Sequence, residues 1–457
     1  MKYMRTNLSD ILDRLKKSSL FKDSFWAVFG NGIGNALLLF AGMIIARFLG
    51  KDLYGEYGLI KTTMFQIAMF STFGLGYSST KFIAEYIQKD KTKLKSITLS
   101  SLKITLIISS TLCLILIFFA KNLADLINAP QLVMPLRFLG VIIICRAIST
   151  VTSGLLGGFK SFKELGMNNI ISGVVMLLLC IPLTYYFGLK GSLTALLLSQ
   201  VTISILNVLK LKDISNNIVP QEQESFDKKL LSFSLPIALQ ELALAIEVMG
   251  VSLILARYVS LGEFGIYSIG KQWNAVAMMI PVLLSNLVLS YLSTDASKNE
   301  QLNHSMLKRM LLITLISSSI PFLIILLFSP IIASLYGHTF VGLQLVLIIL
   351  VFSAVPHCLI TVMTNNFLAN GRNWLSSTIR ISVSFILIIA SYILIRYYAG
   401  EQPVLFLSIL HTTVAILILF VVLGIHRWIC RTRGGEMHHD VSISHHMSSK
   451  HPCIENN

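Results

Sequence analysis

Charge is scarce in this chain. Asp, Glu, Lys and Arg make up 13% of its 457 residues against 54% hydrophobic ones, and mean hydropathy is +0.74. That balance excludes a water-soluble globule of this length. Negative charge is the scarcer sign, 22 acidic residues against 37 basic ones, for a formal net charge of +15. The cysteines never pair: six stand singly at 113, 145, 180, 358, 430 and 453. With no Cys-x-x-Cys, they indicate neither a disulfide framework nor a zinc site. Long polar insertions are missing too. No loop exceeds roughly 20 residues, so there is no room for a soluble catalytic or regulatory domain.

What the chain has instead is a series of apolar stretches, each long enough to cross about 30 Å of hydrocarbon as a helix. They fall near 25–47, 57–80, 97–119, 133–156, 166–187, 190–209, 231–256, 265–291, 308–329, 341–368, 376–398 and 403–425. The expected fold class is therefore an all-α integral membrane protein of about twelve transmembrane helices. The first apolar run continues for a full span without a small-residue cleavage site, so it is read as an insertion signal rather than a cleaved one. Before it, Leu8, Ile11, Leu12 and Leu15 share one face of a segment with acidic residues early and lysines late. That pattern suits a helix lying on the membrane surface, or else an ordinary polar leader.

A net charge this basic could suggest nucleic acid, but its distribution points elsewhere. Of the 37 Lys and Arg, 25 fall in the amino-terminal leader, the even-numbered loops and the carboxyl tail, while the odd loops hold Arg47, Lys51, Lys121, Lys190, Arg257 and Arg396. By the positive-inside rule both termini and the even loops are cytoplasmic, which requires an even number of spans. The expected layout is a leader at 1–24, a six-helix bundle at 25–209, a cytoplasmic linker at 210–230, a second six-helix bundle at 231–425 and a disordered cytoplasmic tail at 426–457. The linker is the most polar internal connection.

One motif is written twice. Ile44-Ile45-Ala46-Arg47, Gly55-Glu56-Tyr57 and Lys61 recur without a gap 210 residues later as Ile254-Leu255-Ala256-Arg257, Gly265-Ile266-Tyr267 and Lys271. Each copy joins one long apolar stretch to the next, so the chain reads as two similar halves. With six spans each, both halves insert the same way, and the pseudo-twofold relating them runs along the membrane normal.

The stretch Ile44-Ile45-Ala46-Arg47-Phe48-Leu49-Gly50-Lys51-Asp52-Leu53-Tyr54-Gly55-Glu56-Tyr57-Gly58, followed by Phe73-Gly74-Leu75-Gly76-Tyr77-Ser78-Ser79, resembles the opening of polysaccharide exporters. Leu156-Gly157-Gly158-Phe159-Lys160, Leu335-Tyr336-Gly337-His338-Thr339-Phe340 and Ala369-Asn370-Gly371-Arg372 extend the resemblance over about 20–425. The chain is thereby similar to Wzx-type O-antigen flippases of the multidrug/oligosaccharidyl-lipid/polysaccharide exporter superfamily. The resemblance implies alternating access between two six-helix bundles and transport of an undecaprenyl diphosphate-linked oligosaccharide for O-antigen or capsule biosynthesis. It also implies a bacterial inner-membrane location, no cofactor, and a polysaccharide polymerase and a chain-length regulator as partners.

Ionisable residues inside spans are the first candidates for function. Lys61 and Lys271 sit one turn inside the second and eighth spans, at equivalent repeat positions. They are read either as snorkelling lysines or as cations converging on a cavity that holds a diphosphate. Arg47 and Arg257 end the first and seventh spans, where arginine anchors a helix end or forms bidentate bonds to phosphate. Arg137 and Arg146 share the fourth span, but nine residues at about 100° each leave them on opposite faces, so only one can face a cavity; Arg146, mid-span, is the better placed. Glu241 and Glu247 in the seventh span suit ion coupling or a bundle hydrogen bond. Asn31 and Asn35, at i and i+4, are candidate polar lining residues. Gly30-Asn31-Gly32-Ile33-Gly34 lies inside a span with no strand before it and is rejected as a nucleotide loop. Pro281 and Pro356 are expected to kink the eighth and tenth spans.

No catalytic or metal site is expected, the histidines of the tail notwithstanding. Two other functions compete with the flippase: a multidrug or cation antiporter of the same fold, which would favour acidic and aromatic lining residues, and a membrane polysaccharide polymerase, which would need paired catalytic carboxylates on a long external loop.

Overall fold

A computed structural model describes residues 19–126, 129–216, 226–295, 300–369, 372–397, 400 and 402–448. Among them are twelve α-helices and no strand: α1 (Ser19–Ser71), α2 (Leu75–Lys89), α3 (Leu94–Leu126), α4 (Val133–Gly158), α5 (Phe162–Asn216), α6 (Asp227–Tyr258), α7 (Leu261–Asp295), α8 (Glu300–Tyr336), α9 (Leu343–Phe352), α10 (Ala354–Ala369), α11 (Asn373–Tyr397) and α12 (Pro403–Ser448). Hydrocarbon offers no partner for a backbone N–H or C=O, so the apolar stretches must become helices. Eight of the described helical stretches are long and apolar enough to cross a membrane; α6 and α7 are not among them.

Twelve helices and twelve passes agree in number but do not correspond one to one. The first and second passes run through α1 and bend at Gly50, whose φ is 72°; the fifth and sixth run through α5 and bend at Gly188, at φ 55°. Only a residue without a Cβ takes such angles cheaply, so each glycine is a break in the helix at which the two passes join directly, with no intervening loop. Conversely, the tenth pass is split into α9 and α10 at Ser353. Pro356 explains the split, since it removes a donor and crowds the carbonyl four residues earlier, at Phe352, the end of α9.

The expected surface helix at 8–22 lies mostly outside the described residues, which begin at Ser19 inside α1. The linker is shorter than expected, because α5 reaches Asn216 and α6 starts at Asp227. Helix α12 runs on to Ser448, into the segment expected to be disordered. The tail histidines lie outside the described side chains.

Where the core lies explains the shape. One large cluster draws on both halves, with Ile45, Ala46, Tyr54, Tyr57, Leu255 and Tyr267 fully or nearly fully buried. It occupies the end of the bundle marked by the repeated motif, termed the repeat end. At the opposite, linker end the core divides. Leu94, Ile97, Val151 and Leu155 of the first half form one cluster, joined by Phe226 and Leu230 at the start of α6. Leu307, Val362, Met363 and Val422 of the second half form another. The halves are thus fused at the repeat end, while at the linker end the start of α6 bridges to α2 and α3, with the Ser78 and Ser234 hydroxyls 2.6 Å apart and Lys103 paired with Asp227; a cavity lies between the halves. Large apolar side chains cover the outside, Phe118 at 76% and Leu327 at 74% exposed, as expected of a surface that faces lipid.

Candidate functional site

The repeat builds the roof of the cavity by contact between its own copies. A Cβ on Gly55 would overlap the Leu261 carbonyl, one on Gly265 would lie 3.2 Å from the Gly55 Cα, and one on Gly58 would lie 2.8 Å from Ser268 Oγ. Gly55 and Gly265 are repeat equivalents, as are Gly58 and Ser268. Equivalent residues touching one another mark the pseudo-twofold axis, and lack of side-chain bulk lets α1 and α7 cross there. Lys51 and Glu263 form an ion pair across this contact. Arg257 Nη1 donates to the Leu126 carbonyl at 2.7 Å, tying α6 to the end of α3.

One helical turn beyond the crossing the cavity begins. Its central lobe, about 470 Å³, is lined by Tyr54, Tyr57, Lys61, Gln66 and Gln200 from the first half and by Glu247, Phe264, Tyr267, Lys271 and His411 from the second. A second lobe, about 550 Å³, lies among α1, α2, α4 and α6 and is lined by Tyr77, Arg146, Thr150 and Glu241. Phe65 and Gln66 border both lobes.

Lys61 and Lys271 both line the central lobe, where the repeat expects them, but their surroundings differ. Lys271 lies within electrostatic range of Glu247, His357 and His411. Glu247 accepts a hydrogen bond from Ser384 Oγ at 2.6 Å, and His411 Nε2 shares one with the Tyr267 hydroxyl at 3.3 Å. His357 Nδ1 donates to the Ser353 carbonyl at 2.7 Å, the carbonyl at the break between α9 and α10. Lys61 has no ion pair among the described residues; its Nζ sits 5.9 Å from the centroid of the Tyr57 ring. Arg146 is similarly placed in the second lobe, with its guanidinium 4.7 Å from the Phe65 ring centroid and no ion pair among the described residues. Glu241, 8% exposed, faces the same lobe. One of its oxygens accepts the Gly74 amide, while Oε2 is buried without a partner.

The remaining candidates need correction as cavity residues. Arg47 and Arg137 are exposed and line neither lobe, and Arg257 is occupied at the rim. The cause is position along the helix: each lies at or near the repeat end, where a long side chain reaches outward past the packed core. Asn31 accepts a hydrogen bond from Asn169 of α5 and so ties two helices together. Asn35 does line the central lobe, beside Met279. The two lobes therefore hold Lys61, Lys271 and Arg146 against Glu241 and Glu247, a smaller cationic excess than the sequence suggested.

His357 and His411 escaped the sequence reading. The rule that flags Lys61, an ionisable side chain inside an apolar span, applies equally to them. Arg380 is a second omission: Tyr77, at the mouth of the second lobe, lies within electrostatic range of both Arg380 and Glu241.

Known proteins share this architecture. The fold resembles that of an inward-facing multidrug resistance MATE family transporter of the MOP superfamily, with a TM-score of 0.73, 17% identity, and coverage of 87% of this chain and 96% of that one. It also resembles the lipid II flippase MurJ in an inward closed conformation, with a TM-score of 0.69, 15% identity, and coverage of 89% and 87%. In sequence, stage V sporulation protein B of Bacillus subtilis is 27% identical over 194 residues, 39% of this chain and 38% of that protein. An uncharacterized membrane protein of Methanocaldococcus jannaschii is 24% identical over 237 residues, 48% of this chain and 55% of that protein. The chain thus spans about half or less of the length of the curated relatives it matches. The model of the family described as "Polysaccharide biosynthesis protein" matches residues 20–290, more than half of the chain. With that match, the chain belongs to the polysaccharide biosynthesis protein family, and its apolar helices make it a multi-pass membrane protein.

Proposed function

We propose that the protein is a flippase, not an enzyme, moving an undecaprenyl diphosphate-linked oligosaccharide from the inner to the outer leaflet of a bacterial cytoplasmic membrane, for O-antigen or capsule biosynthesis. The observation that carries this reading is the pair of cations with no ion pair among the described residues, Lys61 in the central lobe and Arg146 in the second. A cation held away from bulk water is costly unless an anion joins it, and a diphosphate headgroup entering from lipid is such an anion. Lys271, repeat-equivalent to Lys61, reaches the same lobe from the other half. The prenyl chain stays in lipid while the sugars cross between the halves.

The excess of basic residues in the leader, even loops and tail supports a cytoplasmic location for both termini and the linker end. The fused core at the repeat end then closes the cavity toward the outside. Alternating access proceeds by opening the Gly55–Gly265 contact and closing the linker end. Glu247, beside Lys271, is the coupling carboxylate, for protons or sodium ions. A polysaccharide polymerase and a chain-length regulator are the expected partners on the outer side.

Deleting the gene should cause lipid-linked oligosaccharide to accumulate on the cytoplasmic side, and Lys61→Ala should fail to relieve it at normal expression. Full surface polysaccharide in Lys61→Ala cells would sink the anion-binding role. One observation favours a second reading, a multidrug or cation antiporter: Tyr54, Tyr57, Phe264 and Tyr267 give the central lobe aromatic walls near Glu247. Uptake of a labelled cationic dye by the purified protein in vesicles, with no response to lipid-linked oligosaccharide, would establish it instead.

A further inference from the structure

Residues lining the cavity carry buried hydrogen-bond acceptors that meet no donor among the described residues. Glu241 Oε2, Gln66 Oε1 and Gln200 Oε1 are all buried and unbonded, with Gln200 4% exposed. Gln200 lines the central lobe, Glu241 lines the second, and Gln66 borders both. The three follow the passage from one lobe to the other. Buried acceptors left unpaired cost about 1–3 kcal/mol each; each belongs to a side chain that lines a lobe, where rotation about its soft terminal torsion would present the oxygen to a ligand that brings donors. Lys61 and Arg146 in the same lobes ask for the opposite, an anion that only accepts.

Resting on the flippase reading, we propose that Gln66, Gln200 and Glu241 form a glycan subsite that receives hydroxyl or amino donors of the sugars nearest the diphosphate, while Lys61 and Arg146 hold the phosphates. An ionised diphosphate offers acceptors alone and cannot satisfy these three oxygens. A sugar ring carries several donors at spacings suited to adjacent amide and carboxylate oxygens. Glu241 is then a specificity residue, distinct from Glu247, which already takes the Ser384 hydroxyl and lies beside Lys271.

The test compares two probes on the purified full chain in detergent: undecaprenyl diphosphate alone, and the undecaprenyl diphosphate-linked oligosaccharide extracted from cells lacking the gene. The wild type should bind the glycosylated probe about a hundredfold more tightly. Gln66→Leu, Gln200→Leu and Glu241→Leu should each reduce that preference by roughly fivefold, and together should abolish it. Equal affinity of the wild type for both probes overturns the subsite without any variant having to fold. A loss shared equally by both probes in the variants overturns it as well. If the wild type binds neither probe, the flippase reading fails instead, whatever the glutamine variants do.

Discussion

The two halves offer the cavity the same residue at the same repeat position and surround it differently. Lys61 stands against Tyr57 with no ion pair among the described residues, whereas Lys271 shares its surroundings with Glu247, His357 and His411. Duplication supplied the scaffold: the crossing at Gly55 and Gly265, the tyrosines and the lysines. Divergence then gave each half its own task. A cation without a counter-charge is suited to receive an anionic ligand, while a cation inside a polar network is suited to respond when a carboxylate in that network changes state. The first half is read as the anion-holding side and the second as the coupling side.

The largest expected effect follows from removing the cation without a partner. Lys61→Ala should lower export at least tenfold, since a hydrogen bond to a charged group is worth about 1.5–3 kcal/mol. Lys271→Ala should cost less, with surface polysaccharide measured at matched expression; the reverse order would break the comparison. Next is the wedge at the axis. Gly55→Leu forces a side chain into the Leu261 carbonyl and should hold the halves apart at the repeat end, reducing export several-fold. Cross-linking of a Lys51→Cys/Glu263→Cys pair should fall with it, and an unchanged yield would show that the contact tolerates the added bulk.

A double-mutant cycle sharpens the account of the second half. Glu247→Gln and Lys271→Ala should be non-additive in transport, with an interaction of about 0.5–3 kcal/mol; simple additivity would mean that Lys271 works without Glu247. The smallest effects belong to the rim. Lys51→Ala breaks a half-exposed ion pair worth about 0–1 kcal/mol and should change export no more than several-fold, and less in high salt. Arg47→Ala and Arg137→Ala should leave export unchanged, and a strong defect in either would return them to the cavity.

Much of this was legible in the sequence because it was written twice. The 210-residue repeat put the two lysines at equivalent positions and related the halves by a pseudo-twofold, while the close contact of Gly55 with Gly265 emerged only from the structure. Other features depended on neighbours that no spacing reveals. Arg146 could be set mid-span, but its stack on Phe65 joins α4 to α1. Gln66 and Gln200 are neutral and look like any polar residue bonding within a bundle until their oxygens are found unpartnered. Hydropathy separates the fifth and sixth spans but does not show that they join directly at a single glycine of positive φ, Gly188. Arg47, Arg137 and Arg257 show the converse error: a charge near a span end is legible, but which way it points is decided by the packed core beneath it.

The measurement that tests the central claim most directly is the fate of the lipid-linked oligosaccharide in cells carrying Lys61→Ala or Lys61→Arg in place of the wild-type gene. The account predicts accumulation of the intermediate on the cytoplasmic side with alanine and substantial relief with arginine, which restores the charge. Normal surface polysaccharide with the alanine variant, or equal failure of both, would contradict it.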